Sequence, residues 1–286
     1  MKKSLILVLA LTLALTFTAC GDDSDAGKSS EANNSAEASN GSDANNDAEA
    51  NKDSDANNDA EGDVKSEGVM TYAEYAAAAL DTEVTVEAYV QAHQSWWEKE
   101  GAGKITVYAQ DKDGAYFMYE MNCSKEDSEK LVPGTKIKVT GYKSEWAGEV
   151  EIIDASFEIL EGSYIAEPVD VTTYLGLDDL ANYQNQFVSF KGMTVETYEK
   201  DGVSYDSAFV YNDDNSGSHD SNSDLYFNVS SNGTTYTFCV ESYLCDKDTD
   251  VYKAVENLKV GDVVDLEGFL YWYNGANPHI TSVTVK

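Results

Sequence analysis

The chain has 286 residues, of which 42% are hydrophobic, and it carries a formal net charge of −33. All 19 of its basic residues are lysines. Affinity for phosphate backbones comes mainly from basic side chains, and arginine is the one best shaped to bind phosphate. The composition therefore predicts that nucleic acid is an unlikely partner.

Residues 1–20 have the order of a bacterial export signal. Lys2 and Lys3 precede an apolar run from Leu5 to Phe17, which is too short for an ordinary membrane span. The ending Phe17-Thr-Ala-Cys20 resembles the bacterial lipobox, although Phe17 replaces the usual leucine. The resemblance implies a lipoprotein signal peptide, a lipid on Cys20, and a location on the extracytoplasmic face of the cell membrane. The alternative is a plain secretory signal with an incidental cysteine.

Residues 21–68 form an acidic, low-complexity segment. It holds 14 acidic residues against three lysines, a net charge of −11, and almost nothing apolar. Such a segment buries too little surface to offset the entropy of ordering, so we predict a disordered linker. Subtracting this charge and the +2 of residues 1–20 from −33 leaves −24 on residues 69–286.

Residues 69–162 predict a first β-domain. Period-two alternation indicates strands at 83–91, 104–110, 115–123, 134–142 and 150–159. Helix candidates occupy residues 69–80 and 124–131, the second with Ser124 as its cap. Residues 163–172 are predicted to be an inter-domain linker.

Residues 173–286 predict a second domain with the same order of elements. Strands are expected at 186–197, 225–230, 234–244, 263–271 and 279–285, with helix candidates at 173–183 and 248–258. A glycine pattern supports a duplication, because Gly134, Gly141 and Gly148 return 127 positions later at Gly261, Gly268 and Gly275. These glycines suit a tight entry turn and a sharp bend at a barrel corner.

Three strands, a helix and two further strands are the order of the OB-fold, a five-stranded Greek-key barrel. Residues 69–286 therefore resemble the tandem OB-fold modules of secreted bacterial lipoproteins. The resemblance implies an all-β fold with short helices, in which two OB-fold-like barrels follow a disordered stalk. It does not imply a particular ligand, because this fold hosts many functions.

The sequence contains no recognisable catalytic or cofactor motif. His93, His219 and His279 lack metal-ligand spacing and lie near no nucleophile motif. Cys123, Cys239 and Cys245 permit one disulfide at most, and Cys239 and Cys245 lie too far apart along a continuous strand to form it. Cys123 and Cys245 are interpreted as small buried residues, with a redox or cross-linking role as the alternative. Segment 212–224 loosely resembles a calcium loop, but its glycine and its last acidic position differ from the motif, so a solvated loop is favoured. We predict neither an enzyme, a cofactor nor a metal site.

Aromatic residues mark the candidate binding site. Ligands of OB-folds meet the outer face of strands two and three and the adjoining loops. The predicted ligand-binding residues there, all in the first barrel, are Trp96, Trp97, Tyr108, Tyr116 and Trp146. Trp96 and Trp97 are adjacent in an extended segment, so at least one must face solvent. The alternative for Trp146 and for Trp272 in the second barrel is that they plug barrel ends.

Aromatic rings stack on sugars without needing positive charge. The main hypothesis is therefore a non-catalytic, cell-surface binding protein that recognises an extracellular ligand, glycan or protein. The alternatives are an OB-fold nucleic-acid-binding protein and a structural spacer of the envelope.

Overall fold

The computed structural model describes residues 65–286, which all belong to one compact unit. The predicted signal peptide with Cys20 and nearly all of the acidic linker lie outside the described residues. Among residues 65–286, no helix has the length and apolar character needed to cross a bilayer.

The first barrel is closed by five strands and carries one short extra strand. The strands are β1 (Glu83–His93), β2 (Trp97–Lys99), β3 (Ala102–Gln110), β4 (Ala115–Asn122), β5 (Thr135–Trp146) and β6 (Glu149–Ser163). Antiparallel pairing joins β1 to β3 and β5, β3 to β4, and β5 to β6. A parallel β4–β6 pair closes the ring, and β2 extends the edge of β3.

The second barrel repeats this connectivity. Its main strands are β8 (Phe187–Glu196), β12 (Leu225–Ser231), β13 (Thr234–Val240), β14 (Val263–Phe269) and β15 (His279–Val285). β8 pairs with β12 and β14, β12 with β13, and β14 with β15, while a parallel β13–β15 contact closes the ring. The accessory strands are β7 (Val169–Asp170), β9 (Glu199–Lys200), β10 (Val203–Ser204) and β11 (Phe209–Tyr211). The predicted pair of OB-fold barrels is confirmed.

Short capped helices connect the strands. They are α1 (Tyr72–Ala77), α2 (Lys125–Ser128) and α3 (Asp250–Glu256), whose N-caps are Thr71, Ser124 and Thr249. Each cap hydroxyl accepts a hydrogen bond from a backbone N–H in the first turn. The predicted helix at 173–183 is instead two 3-10 turns, Thr172–Tyr174 and Asp178–Tyr183, neither of which has a side-chain cap.

The repeated glycines lie at matching bends. Gly134 and Gly261 have φ of +92° and +94°, which residues with a Cβ rarely adopt. Gly141 lies at a register shift between β5 and β6, where a Cβ would come 2.7 Å from the carbonyl oxygen of Ile153. A Cβ on Gly268 would likewise meet the carbonyl oxygen of His279. In both barrels, the fourth main strand therefore bends at a glycine where the backbone of the neighbouring strand leaves no room for a Cβ.

An aromatic cluster joins the barrels. Tyr108 and Phe117 of the first barrel pack on Phe269 of the second, and all three are at most 3% exposed. The rings of Tyr108 and Phe269 stack with centroids 4.5 Å apart, and the Tyr108 hydroxyl lies 2.7 Å from Nδ1 of His279. The face of the first barrel that binds ligands in many OB-folds is therefore covered in part by the second barrel.

Candidate functional site

Tyr108 and Tyr116, which were predicted to bind a ligand on the outer face of the first barrel, are both 0% exposed. Tyr108 does lie on the outer face of the first barrel, but the second barrel covers it. Tyr116 faces the other way, because it pairs with core residue Ala109 across β3 and β4, and cross-strand partners share a face. Its ring packs at 5.0 Å from Tyr75 in α1, and its hydroxyl donates to the buried Asp111.

The adjacent tryptophans point in different directions, as expected. Trp96 packs against the first core, and its indole nitrogen donates a 2.9 Å hydrogen bond to the carbonyl of Cys123. Trp97 is 41% exposed. This hydrogen bond joins the loop after β1 to the end of β4. It holds the Trp96 side chain in place, whereas the neighbouring Trp97 ring is exposed to solvent.

A cleft of about 460 Å³ opens beside Trp97, at the junction of the two barrels. Its walls hold three exposed aromatic rings with polar groups between them, and the lining residues are Gln94, Ser95, Trp97, Thr106, Tyr119, Glu120 and Tyr243. Six of these residues come from the first barrel, and Tyr243 comes from the second. This volume lies within the range of small-ligand pockets.

Hydrogen bonds across the junction fix the cleft. The N–H of Ser95 donates to the carbonyl of Tyr243 at 2.8 Å. Nε2 of Gln94 donates to Oε2 of Glu241 at 3.1 Å, and Oε1 of the same carboxyl accepts from the N–H of Tyr243. The loop that carries Trp97 is thereby tied to the segment that carries Tyr243.

The wall of the cleft that contains Thr106 and Glu120 is fixed by contacts within the first barrel. The Thr106 hydroxyl accepts a 3.2 Å bond from the N–H of Glu120, whose carboxylate pairs with Lys99 at 2.6 Å. The Lys99 ammonium also lies 5.5 Å from the ring centroid of Trp97. Lys104 is the cross-strand partner of Trp97, and its ammonium donates a 2.8 Å hydrogen bond to Oδ1 of Asn122 on β4.

Three glutamates near the junction have raised pKa values. Burial raises the pKa of Glu241 to about 7, with the neighbouring Asp224 adding to the effect. Burial and Glu120 raise the pKa of Glu151 to about 7. Burial raises the pKa of Glu149 to about 9, even though Glu149 accepts from the N–H of Trp272.

Trp146 lies outside the cleft and does not plug its barrel. It is 55% exposed, and its ring pairs with that of Tyr273 at 5.2 Å between centroids. Trp272 instead packs against the second core and against Gly148. The loops that carry the repeat-related Trp146 and Tyr273 thus meet at the junction, where the N–H of Asn274 donates to the carbonyl of Ala147 at 2.7 Å.

Of the five predicted site residues, Trp97 alone lines the cleft. Sequence reasoning missed Tyr119, although it is two residues beyond the outward-facing Phe117 on β4 and so shares its face. Tyr243 gave no local signal, because it follows β13 in a turn and reaches the cleft only through the packing of the two barrels.

The remaining polar candidates are occupied by structural contacts. His279 is buried against Tyr108, which lowers its pKa to about 3, and His219 lies 2.8 Å from Glu256. Cys123, Cys239 and Cys245 are free and buried, in agreement with the interpretation of Cys123 and Cys245 as small buried residues. Within residues 65–286, no group of three His, Cys, Asp or Glu side chains is arranged to hold a metal ion.

The fold and the cleft define the class: a tandem OB-fold protein with an exposed aromatic cleft where its barrels meet. No family model and no curated protein matches the sequence. Similar solved structures include the Ifi202 HINa domain in complex with double-stranded DNA, at 12% identity, TM-score 0.32, and coverage of 72% of this chain and 96% of that one. The p202 HIN1 domain with double-stranded DNA matches at 13% identity, TM-score 0.32, and coverage of 73% and 94%.

A replication protein A heterotrimer bound to single-stranded DNA matches at 11% identity and TM-score 0.30, covering 74% of this chain and 51% of that chain. At these identities the likeness extends to the fold alone. The matches nevertheless contradict the prediction that nucleic acid is an unlikely partner, because chains of this fold appear among them as DNA complexes. That prediction is withdrawn. Its weakness is physical, since net charge averages over a whole surface and a binding face is local.

Proposed function

We propose that the protein is a non-catalytic, lipid-anchored binding protein of the cell surface that takes its ligand in the aromatic cleft. The observation that supports this proposal is the convergence of Trp97, Tyr119 and Tyr243, exposed by 41%, 43% and 67%, on one concave site. An aromatic ring that stays in solvent forgoes the stabilisation that burial would give. A group of such rings in one cleft is therefore typical of an interaction site.

The first candidate ligand is an extracellular glycan. Sugar rings offer apolar faces to the three aromatic rings and hydroxyl groups to Gln94 and Ser95, which line the same cleft. These polar groups are mostly uncharged, and they are of the types that exchange hydrogen bonds with hydroxyls.

The second candidate ligand is single-stranded nucleic acid. Bases stack on aromatic rings of OB-folds with about 1–3 kcal/mol per base. The Lys99 ammonium lies beside the Trp97 ring, and Lys104 is the partner of Trp97 on the neighbouring strand, so two cationic residues are close to the ring on which a base would stack. The side chain of Lys99 is 47% exposed and can exchange its contact with Glu120 for one with phosphate.

Titrations of the full-length protein with a neutral hexasaccharide and with oligothymidine, followed by tryptophan fluorescence, separate the candidates. Trp97→Ala is expected to lower the affinity for the true ligand by about 5- to 150-fold, from a stacking energy of about 1–3 kcal/mol. Trp146→Ala is the matched control, because Trp146 is also solvent-exposed but lies outside the cleft. Equal losses in both variants would contradict the assignment of the site.

Salt dependence identifies the second candidate. Binding of oligothymidine that weakens steeply as salt rises, and that weakens further in Lys99→Ala and Lys104→Ala, is expected if phosphate contacts contribute. Binding of the hexasaccharide is expected to be nearly independent of salt. No binding of either probe would favour the structural spacer and refute the proposal.

The anchor is tested separately. Cys20→Ala is expected to move the protein from the membrane fraction to the soluble fraction, because the cysteine carries the proposed lipid. Two results together would contradict the anchor: the Cys20→Ala variant stays in the membrane fraction, and the wild-type protein incorporates no labelled fatty acid.

A further inference from the structure

A bulge in β4 gives the cleft an acidic side chain that a regular strand would turn inward. Met118 and Met121 both pack in the first core, although two residues separate them instead of one. Thr106 on β3 lies opposite both of these residues, Tyr119 and Glu120, because the register shifts at this point. Glu120 takes up the insertion with a φ of +46°, which residues with a Cβ rarely adopt. Such a bulge at the wall of a cleft points to a role for the side chains that it turns outward.

A cation of the protein itself occupies the position that the Glu120 carboxylate provides. The Lys99 ammonium lies 2.6 Å from Oε2 of Glu120 and 5.5 Å from the ring centroid of Trp97. Trp97 and Lys99 are two residues apart on β2, so their side chains lie on the same face of the strand. These contacts show that one ammonium group can meet a carboxylate and an aromatic ring together at this wall of the cleft.

We propose that the cleft takes an extracellular glycan whose sugars carry free amino groups, and that Glu120 is the residue that binds such an ammonium group. This inference deepens the proposed function and rests on it. The ligand ammonium replaces Lys99 on the carboxylate, while the sugar rings stack on the exposed aromatic rings of the cleft. The Lys99 side chain is 47% exposed, so it can turn into solvent at little cost.

The charge of the surroundings favours a cationic ligand over a neutral one. Residues 69–286 carry a net charge of −24, which raises the local concentration of cations. The Glu120 side chain is only 16% exposed, so leaving its carboxylate unpaired would be costly. Replacing one ammonium by another keeps this carboxylate paired. A neutral sugar leaves the pair of Lys99 and Glu120 in place and gains its affinity from stacking and neutral hydrogen bonds.

Two hexasaccharides that differ only at their amino groups test the inference. One is a glucosamine hexamer with free amines, and the other is the same hexamer with every amine acetylated. The full-length protein is titrated with each, at a pH at which the free amines are protonated, and binding is followed by tryptophan fluorescence. The aminated hexamer is expected to bind about tenfold more tightly, from its charged hydrogen bond to Glu120. Its binding is expected to weaken as salt rises.

Glu120→Gln is expected to lower the affinity for the aminated hexamer by about tenfold and to change that for the acetylated hexamer by less than about twofold. Glu98→Gln is the matched control, because it removes the same charge from an exposed residue of β2 that lies outside the cleft. Its side chain faces away from Trp97 by the alternation of the strand. The control is expected to bind the aminated hexamer within about twofold of the wild-type protein.

Lys99→Ala is expected to change the affinity in the opposite direction. It removes the cation that competes with the ligand for Glu120, so the aminated hexamer is expected to bind about two- to fivefold more tightly. Oligothymidine held by phosphate contacts would instead bind more weakly to this variant. Because Lys99→Ala leaves Glu120 in place, it also tests the inference should Glu120→Gln fail to fold.

Equal affinities of the wild-type protein for the two hexamers would overturn the inference and leave the proposed function standing. Weaker binding of the aminated hexamer to Lys99→Ala, or equal losses in Glu120→Gln and Glu98→Gln, would also overturn it. Binding of neither hexamer would refute the glycan as the ligand of the cleft and the inference with it.

Discussion

Glu149 makes the junction between the barrels sensitive to pH. The carboxyl is 0% exposed; its Oε2 accepts from the N–H of Trp272 in the second barrel, and its Oε1 has no partner. Burial is the main cause that raises the pKa of this carboxyl, because desolvation penalises its charged form, and the negative charge of the neighbouring Glu151 adds to the effect. The hydrogen bonds from the Trp272 N–H and from Asn185 favour the charged form but do not offset the burial.

Replacing Glu149 by glutamine is the perturbation that isolates this effect, because the amide mimics the protonated carboxyl. The pKa of Glu149 is raised from 4.5 to about 9 in the folded protein, so folded chains keep a proton that unfolded chains release. Stability from this group is fully present below about pH 4.5 and is lost as the pH rises toward 9. Between about pH 5 and about pH 7 the loss amounts to roughly 2.5 kcal/mol.

Urea unfolding of the wild-type protein and of Glu149→Gln over this pH range measures the difference directly. The free energy of unfolding of the wild-type protein is expected to fall by about 2.5 kcal/mol more than that of the variant as the pH rises. The two proteins should be of similar stability at the acid end. Parallel curves would refute the argument, because they would show that Glu149 is ionised in the folded protein.

Two further substitutions test a contact that holds α1 on the first barrel and a contact that joins the two barrels. Lys143→Met removes an ammonium that donates to the carbonyls of Tyr75, Ala76 and Ala78 at the end of α1, at 2.9–3.0 Å; a loss of about 2 kcal/mol in thermal or urea unfolding is expected, and a change below about 0.5 kcal/mol would contradict it. Tyr108→Ala empties the centre of the aromatic cluster between the barrels and is expected to cost about 3–5 kcal/mol. The same substitution at Trp146, which is 55% exposed, should cost less than about 1 kcal/mol, and equal costs would show that the cluster does not hold the barrels together.

The barrels could be predicted because their signals are local. Alternation located each main strand, the cap residue Ser124 began its helix where expected, and Gly134 and Gly261 required the same turn. The helix expected at 173–183 failed for an equally local reason, since no side chain caps either of the 3-10 turns that replace it.

The site could be predicted only in part, because it depends on how the barrels pack. Alternation correctly gave Tyr108 an outward direction on the first barrel, but it could not show that Phe269 would cover the ring. Tyr243 becomes a wall of the cleft through the bond between Ser95 and its own carbonyl, a contact between residues nearly 150 positions apart in the sequence. Such long-range pairings leave no periodic signal in either segment.

The most direct test of the central claim, that both barrels together build the ligand site, is the affinity of Tyr243→Ala for whichever probe the wild-type protein binds. Tyr243 is 67% exposed, so its removal should leave the free energy of unfolding within about 0.5 kcal/mol of the wild-type value. The affinity of Tyr243→Ala is expected to fall by about tenfold, as in Trp97→Ala. An unchanged affinity would show that the second barrel does not contribute to the ligand site.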